Sequence, residues 1–308
     1  MKTDLKILTI GNSFTDSLAA YFQQVVESAG CQLHFERANH GGCELHRHWS
    51  YIENEENDRE YKMYQDRRFT MREILEREQW DIVTIQQGSH FSWREETYQP
   101  FADNICNFVG EHAPHAEIVI QQTWAYRADD SHLRPGGSWE ELFANLGEKY
   151  SKFGLKIGKE NLRIDQTQMY DFLTAAYTKL AKSRNLRIIP TGYAVQLSRK
   201  GEKNPFKPYD PELLAKLRWP DLPSQSGDVV GALRWVKDAE SGEMTIKGDF
   251  IHLNERGRYM QACLWFAFLY ERPVSEVTFV PDCIGNSDAA FLRDCAQRAV
   301  DTFPQVKK

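Results

Sequence analysis

A chain of 308 residues, 41% of them hydrophobic, is long enough to bury a sizeable core within one α/β domain, and residues 1–308 are expected to form a single domain. Its formal charge of -6, with 44 acidic against 38 basic side chains, argues against nucleic acid as the main partner, since that needs a basic face to displace counterions. The opening MKTDLKILTI has no long apolar stretch and runs straight into a strand pattern, so neither a signal peptide nor a membrane contact is expected and the cytoplasm is the default location.

In chain order, residues 5–10 (LKILTI) predict a strand. Leu18, Tyr21, Phe22, Val25, Val26 and Ala29 then recur at helical spacing. Further strands are expected at QLHFER, DIVTIQ, AEIVIQ and LRIIP, with helical stretches near 69–79, 97–112 and 161–184. This alternation predicts a parallel sheet flanked by helices. The run ENEENDRE at 53–60 reads as a solvated surface segment, because packed charges of one sign repel. Alternation breaks at about 199–247, where KGEKNPFKPYDPELL carries three prolines and GALRWVKDAESGEMTIKG suggests two short strands about a Glu-Ser-Gly-Glu turn. That segment is expected to be an insertion or lid. Helices near 255–270 and 287–302 close the chain. The six cysteines are scattered without CxxC pairs, which suits buried thiols better than a disulfide framework.

Ser13, in LTIGNSFTDS, has three readings. It or Thr15 caps a helix; the glycine turn holds an anion at a helix start, as where flavodoxin-like proteins bind a cofactor phosphate; or Ser13 is a nucleophile, which needs a base, an orienter for that base and oxyanion donors. GDFIHLNERG supplies a candidate base and orienter: Asp249 stands three residues before His252, in what reads as the loop leading into the next helix. Neutral imidazole takes up a serine proton, and a carboxylate on its other nitrogen selects the tautomer.

The order of GNSF, ANHGGCEL, WDIVTIQQGSHFS, QTWAY and DFIHLN resembles the SGNH (GDSL-type) hydrolase superfamily, and in detail a poorly characterised SGNH-like branch. The resemblance spans nearly the whole chain. It implies a flavodoxin-like α/β/α sandwich, Ser13 as nucleophile, Asp249 and His252 completing a triad, and ester hydrolysis without metal or cofactor. It also implies oxyanion donors from the Ser13 N–H and the second block, where Gly42 is favoured over Gly41. Two departures stand out. Asn12 occupies the position usually held by aspartate, and the third-block Gly-x-Asn-Asp aligns with Gly88, Ser89, His90 and Phe91. The missing asparagine is then replaced either by the His90 Nε–H or by the Gln87 amide, with Gln87 preferred because its amide donates at every working pH.

Other clusters have plainer readings. His40, Cys43, His46 and His48 fit no standard zinc spacing. Trp124 and Tyr126 follow the fourth strand at the sheet's carboxyl edge, where they either form a sugar-stacking wall that binds substrate or pack as satellite core. Trp219, Trp235, Arg218 and Arg234 in the insertion are further candidates. The expected activity is that of a serine esterase removing small acyl groups, such as acetyl, from a carbohydrate or similar small polar molecule. The rival readings are a degenerate SGNH-like domain that binds glycan or protein without turnover, and a flavin or phosphate binder.

Overall fold

The computed structural model describes residues 2–306 apart from 152, 153 and 155. Its centre is a sheet of five strands: β1 (Asp4–Gly11), β2 (Gln32–Asn39), β3 (Ile82–Ile85), β4 (Glu117–Gln121) and β5 (Arg187–Ile189). They run in the order β2-β1-β3-β4-β5, and every pairing is parallel. All five strand segments read from the sequence are in place. Every residue of β3 is buried, as expected of a strand covered on both faces, and this is why IVTI carries no polar alternation.

The first connection contains α1 (Ser13–Asp16), a 3₁₀ turn (Ser17–Ala20) and α2 (Phe22–Ser28). Later helices are α3 (Leu45–Asn57), α4 (Met71–Glu76), α5 (Phe101–His112), α6 (Glu140–Tyr150), α7 (Gln166–Arg184), α8 (Thr191–Gly201), α9 (Pro211–Lys216), α10 (Glu255–Tyr270) and α11 (Asn286–Thr302). Helices α2, α8, α10 and α11 pack together, and α3, α4 and α5 form a second group. The result is a three-layer α/β/α, flavodoxin-like sandwich. Among the described residues no helix is long and apolar enough to cross a membrane.

Helix α10 is buried all round from Tyr259 to Tyr270, so it shows no amphipathic stripe. It begins at Asn254, whose side chain accepts the Gly257 N–H at 3.2 Å. Glycine is required at 257, because a Cβ there would lie 2.3 Å from the Val229 carbonyl oxygen.

Two expectations need correction. The run 53–60 is not wholly solvated: its first part completes α3, and Glu55 is buried, accepting the N–H groups of Met71 at 2.7 Å and Arg72 at 3.0 Å at the start of α4. The free donors of that helix end draw the carboxylate inward despite its charged neighbours. The cysteines are all unpaired, but Cys283 is exposed while the other five are buried.

Within the expected insertion, the two strands form an antiparallel hairpin, β6 (Val230–Lys237) and β7 (Met244–Leu253), turning about residues 238–243. Strand β7 runs further than the sequence suggested. Asp249 and His252 therefore lie on a strand, not in the loop before α10. Two donors from elsewhere tie this arm down, Trp124 Nε1–H to the Ile251 carbonyl and the Arg127 N–H to the Phe250 carbonyl, each at 2.8 Å, and at the end of the strand Asn254 Nδ2–H donates to the Asp228 carbonyl at 3.0 Å.

Candidate active site

At the carboxyl end of β1 the chain turns at Asn12, which is buried and caps α1 by accepting the Phe14 N–H at 3.0 Å. Thr15 does not share that role. Its hydroxyl donates to Gln86 Oε1 at 2.5 Å. Gln86 in turn donates to Asn12 Oδ1 at 2.6 Å, and Asn12 Nδ2–H donates to the Cys43 carbonyl at 2.9 Å. Asn12 thus joins the ends of β1 and β3 to the 40–43 turn. An aspartate has no N–H to give the Cys43 carbonyl, which is what asparagine adds here.

With the cap assigned to Asn12, the Ser13 hydroxyl is left to another partner. It lies 2.9 Å from His252 Nε2. On the far side of the ring, His252 Nδ1 is 2.9 Å from Asp249 Oδ2. That carboxylate selects the tautomer, so Nδ1–H donates to Asp249 and Nε2 accepts from Ser13. Asp249 Oδ1 also accepts the N–H groups of Ile251 and His252, each at 3.0 Å. Burial alone would raise the Asp249 carboxyl, but the ring N–H and these two backbone donors outweigh it and hold the group well below the usual carboxylate range.

Aromatic packing positions the same row of groups. The Phe14 ring meets His252 edge-on at 5.6 Å and stacks on Trp124 at 4.0 Å with planes 7° apart. Helix α10 closes the arrangement through Gln261, which accepts the Ser17 hydroxyl at 2.7 Å and donates to the Phe14 carbonyl at 3.1 Å. Gln86 and Gln261 were not singled out from the sequence. Their only signal is a polar residue at an otherwise apolar position.

Trp124 is fully buried and Tyr126 is 4% exposed, so neither offers a ring face to a ligand. Trp124 carries Phe14 and the His252 strand, while the Tyr126 hydroxyl pairs with Ser89 Oγ at 2.8 Å. The satellite-core reading describes both, and the sugar-wall reading has no exposed surface to use.

The two oxyanion candidates of the third block are also engaged elsewhere. Gln87 is fully buried, and its amide hydrogens go to the Thr97 carbonyl and hydroxyl, each at 3.0 Å. Its Oε1 accepts the N–H groups of Leu45 at 2.9 Å and Gly88 at 2.8 Å. The amide has no hydrogen left for an oxyanion. His90 turns Nε2 to Glu44 Oε1 at 2.9 Å, so the expected Nε–H is already donated and only Nδ1 remains to meet a ligand. Burial opposes ionisation of Glu44, yet the His90 hydrogen bond and the charges of His90 and Arg47 lower its carboxyl. Gly42, by contrast, is exposed at φ +59, a backbone shape natural to glycine. It sits in a turn closed by the Cys43 N–H donating to the His40 carbonyl at 3.1 Å.

The histidines near Cys43 have separate duties. His48 is buried between the Tyr64 hydroxyl and the Gly11 carbonyl, each at 3.0 Å, and burial lowers its pKa to about 3. His40 Nε2–H donates to the Met63 carbonyl. His46 packs on Phe91 and Phe101, and burial raises the Cys43 thiol to about 12. Among the described residues no three His, Cys, Asp or Glu side chains converge as a metal site. In the hairpin region, Trp235 Nε1–H donates to the Asp221 carbonyl at 3.0 Å, Trp219 is 62% exposed, and Arg218 and Arg234 are exposed.

A family described as Domain of unknown function (DUF4886) matches residues 6–138. Among solved structures, the chain is similar to a DUF4886 family protein from Bacteroides uniformis, with a TM-score of 0.68 and 23% identity over 97% of this chain and 95% of that one. Weaker likenesses are to a "putative GDSL-like lipase" from Parabacteroides merdae (TM-score 0.44, 14% identity, 86% of this chain and 95% of that one) and a "putative SGNH hydrolase" from Slackia heliotrinireducens (0.40, 18%, 65% and 84%). No curated protein matches the chain. The family match covers residues 6–138, less than half of the chain, and the likeness to the Bacteroides uniformis structure shows a shared fold.

Proposed function

We propose that this protein is a serine esterase that removes small acyl groups from carbohydrate or similar polar esters. The observation that carries the reading is the row Ser13 Oγ, His252 Nε2, His252 Nδ1, Asp249 Oδ2, with both contacts at 2.9 Å. Ser13 Oγ attacks the acyl carbon as His252 takes its proton. The resulting imidazolium is stabilised by Asp249 and returns that proton to the departing alcohol oxygen, leaving an acyl-serine. Water, deprotonated by the same imidazole, then releases the carboxylic acid and restores Ser13. The N–H groups of Ser13 and Gly42 serve as oxyanion donors. The six unpaired thiols support a cytoplasmic location.

The third block gives one specific reason to keep a binding-only reading beside this one, since the Gln87 amide is committed to Thr97. A serine-directed fluorophosphonate with mass mapping, run beside hydrolysis of an aryl acetate, separates the two. Labelling at Ser13, and loss of at least about 1000-fold in turnover in folded Ser13→Ala and His252→Ala, supports the esterase. A protein that neither labels nor hydrolyses refutes it.

A further inference from the structure

Beside the site lies a cleft of about 1010 Å³, bounded by α1, the end of β2 and the 64–69 turn. None of Ser13, Gly42, Asp249 and His252 lines it, and the cleft approaches the reaction centre through their chain neighbours Asp16 and His40. Asp16 sits three residues after Ser13 on α1, on the same helix face, and Asn39 and His40 lead into the Gly41–Gly42 turn.

Its lining is rich in arginine for a protein of charge -6: Arg37, Arg67, Arg68 and Arg77 stand against Asp16, Glu36 and Asp66. Three of these guanidinium groups have acidic partners. Arg37 binds Asp16 at 2.9 Å, Arg77 binds Glu36, and Arg68 lies 3.8 Å from Asp66. Arg67 has no ion pair among the described residues. It is exposed, and its charge helps burial to depress the pKa of His40.

The backbone bearing Arg67 is unusual. Gln65, Asp66 and Arg67 have φ of 50, 60 and 60, three successive left-handed residues of which none is glycine. The turn is held shut by the Arg68 N–H and the Phe69 N–H, both donating to the Tyr64 carbonyl, and by Gln65 Nε2–H donating to Glu36 at 3.0 Å. Arg77 and Arg68 lie over the Phe69 ring, at 4.8 and 5.9 Å. Strain kept by so many supports, and ending in one unpaired cation at the lip of a cleft, points to a ligand.

We propose that this cleft binds a carboxylate on the alcohol part of the ester, so that the substrate is an acylated acidic sugar, with Arg67 as the principal contact. The inference rests on the esterase reading for the ester but not for the carboxylate. Four arginines against three acids leave one positive charge, which suits a monoanion; a phosphate dianion would meet Asp16, Glu36 and Asp66 unbalanced. Phe35, Tyr51 and Phe69 supply apolar wall for the sugar ring.

The test compares an acetylated methyl glucuronoside with the matching acetylated methyl glucoside. At low salt the charged ester is expected to show a KM at least about tenfold lower, and the ratio should shrink as salt screens the exposed guanidinium. Arg67→Met should bring the ratio to about one, whereas Arg67→Lys retains part of it. Arg67→Gly removes the charge and relieves the left-handed residue, so it should lose the preference while melting no lower than the parent, which separates lost recognition from lost folding. Calorimetric titration with methyl glucuronoside reads the same contact without turnover. If neither ester is cleaved but the glucuronoside binds the parent and not Arg67→Met, the esterase reading falls and the carboxylate site stands. Equal KM values for the two esters, or a preference unchanged in Arg67→Met, overturn the proposal.

Discussion

Replacing Gln87 by alanine separates a structural amide from a catalytic one. The side chain is fully buried and satisfies two backbone donors, Leu45 N–H at the first residue of α3 and Gly88 N–H, while donating to Thr97. Truncation leaves both N–H groups and the Thr97 carbonyl without this partner. The Thr97 hydroxyl keeps Arg94 as an acceptor at 2.6 Å. An orphaned buried donor costs about 1–3 kcal/mol, so two of them, partly relieved by water entering the space, sum to about 2–5 kcal/mol. For a chain this long that lowers the melting temperature by about 4–10 °C, at about 2 °C per kcal/mol. Urea unfolding and a thermal melt measure the loss, and turnover on an aryl acetate, normalised to folded protein, is expected to stay within a few-fold of the parent. A variant that melts like the parent yet loses about 100–1000-fold in turnover would refute this reasoning and return the Gln87 amide to the oxyanion.

Burial raises the Glu55 carboxyl to about 7, although Met71 and Arg72 donate to it. An unfolded glutamate titrates near about 4.3, so between that pH and about 7 the native state holds a proton the unfolded chain has released, and stability falls as pH rises through the window. Glu55→Gln should flatten this dependence by about 2–3 kcal/mol between pH 5 and 8, read by denaturant titration at both; an unchanged slope rejects Glu55 as its source. Trp124→Phe keeps the ring stack on Phe14 but removes the donor to the Ile251 carbonyl, freeing the strand that carries His252. Turnover should drop about 10 to 100-fold with KM little changed, and an unaltered rate shows that the other anchors suffice.

The parallel sheet was legible because each central strand is an apolar run bounded by helical spacing, a local pattern that survives any packing. Helix α3 was not, since its charged second half reads as solvent-facing and only the buried donors of α4 explain why Glu55 turns inward. Asp249 and His252 were recognisable as a pair, but their place on β7 depends on Trp124 and Arg127 anchoring the hairpin from far along the chain.

The sequence by itself determined the parallel α/β alternation, the serine at the end of the first strand and the three-residue spacing between Asp249 and His252, because these depend on residues close in the chain. Only the tertiary structure decided which polar atoms were already engaged. The hydroxyl of Ser13 is left to His252 because Asn12 takes the cap, and the amide of Gln87 is unavailable because Thr97 occupies both its hydrogens. A side chain's donor capacity is written in its chemistry, but what that capacity is spent on depends on neighbours that folding brings together from distant parts of the chain.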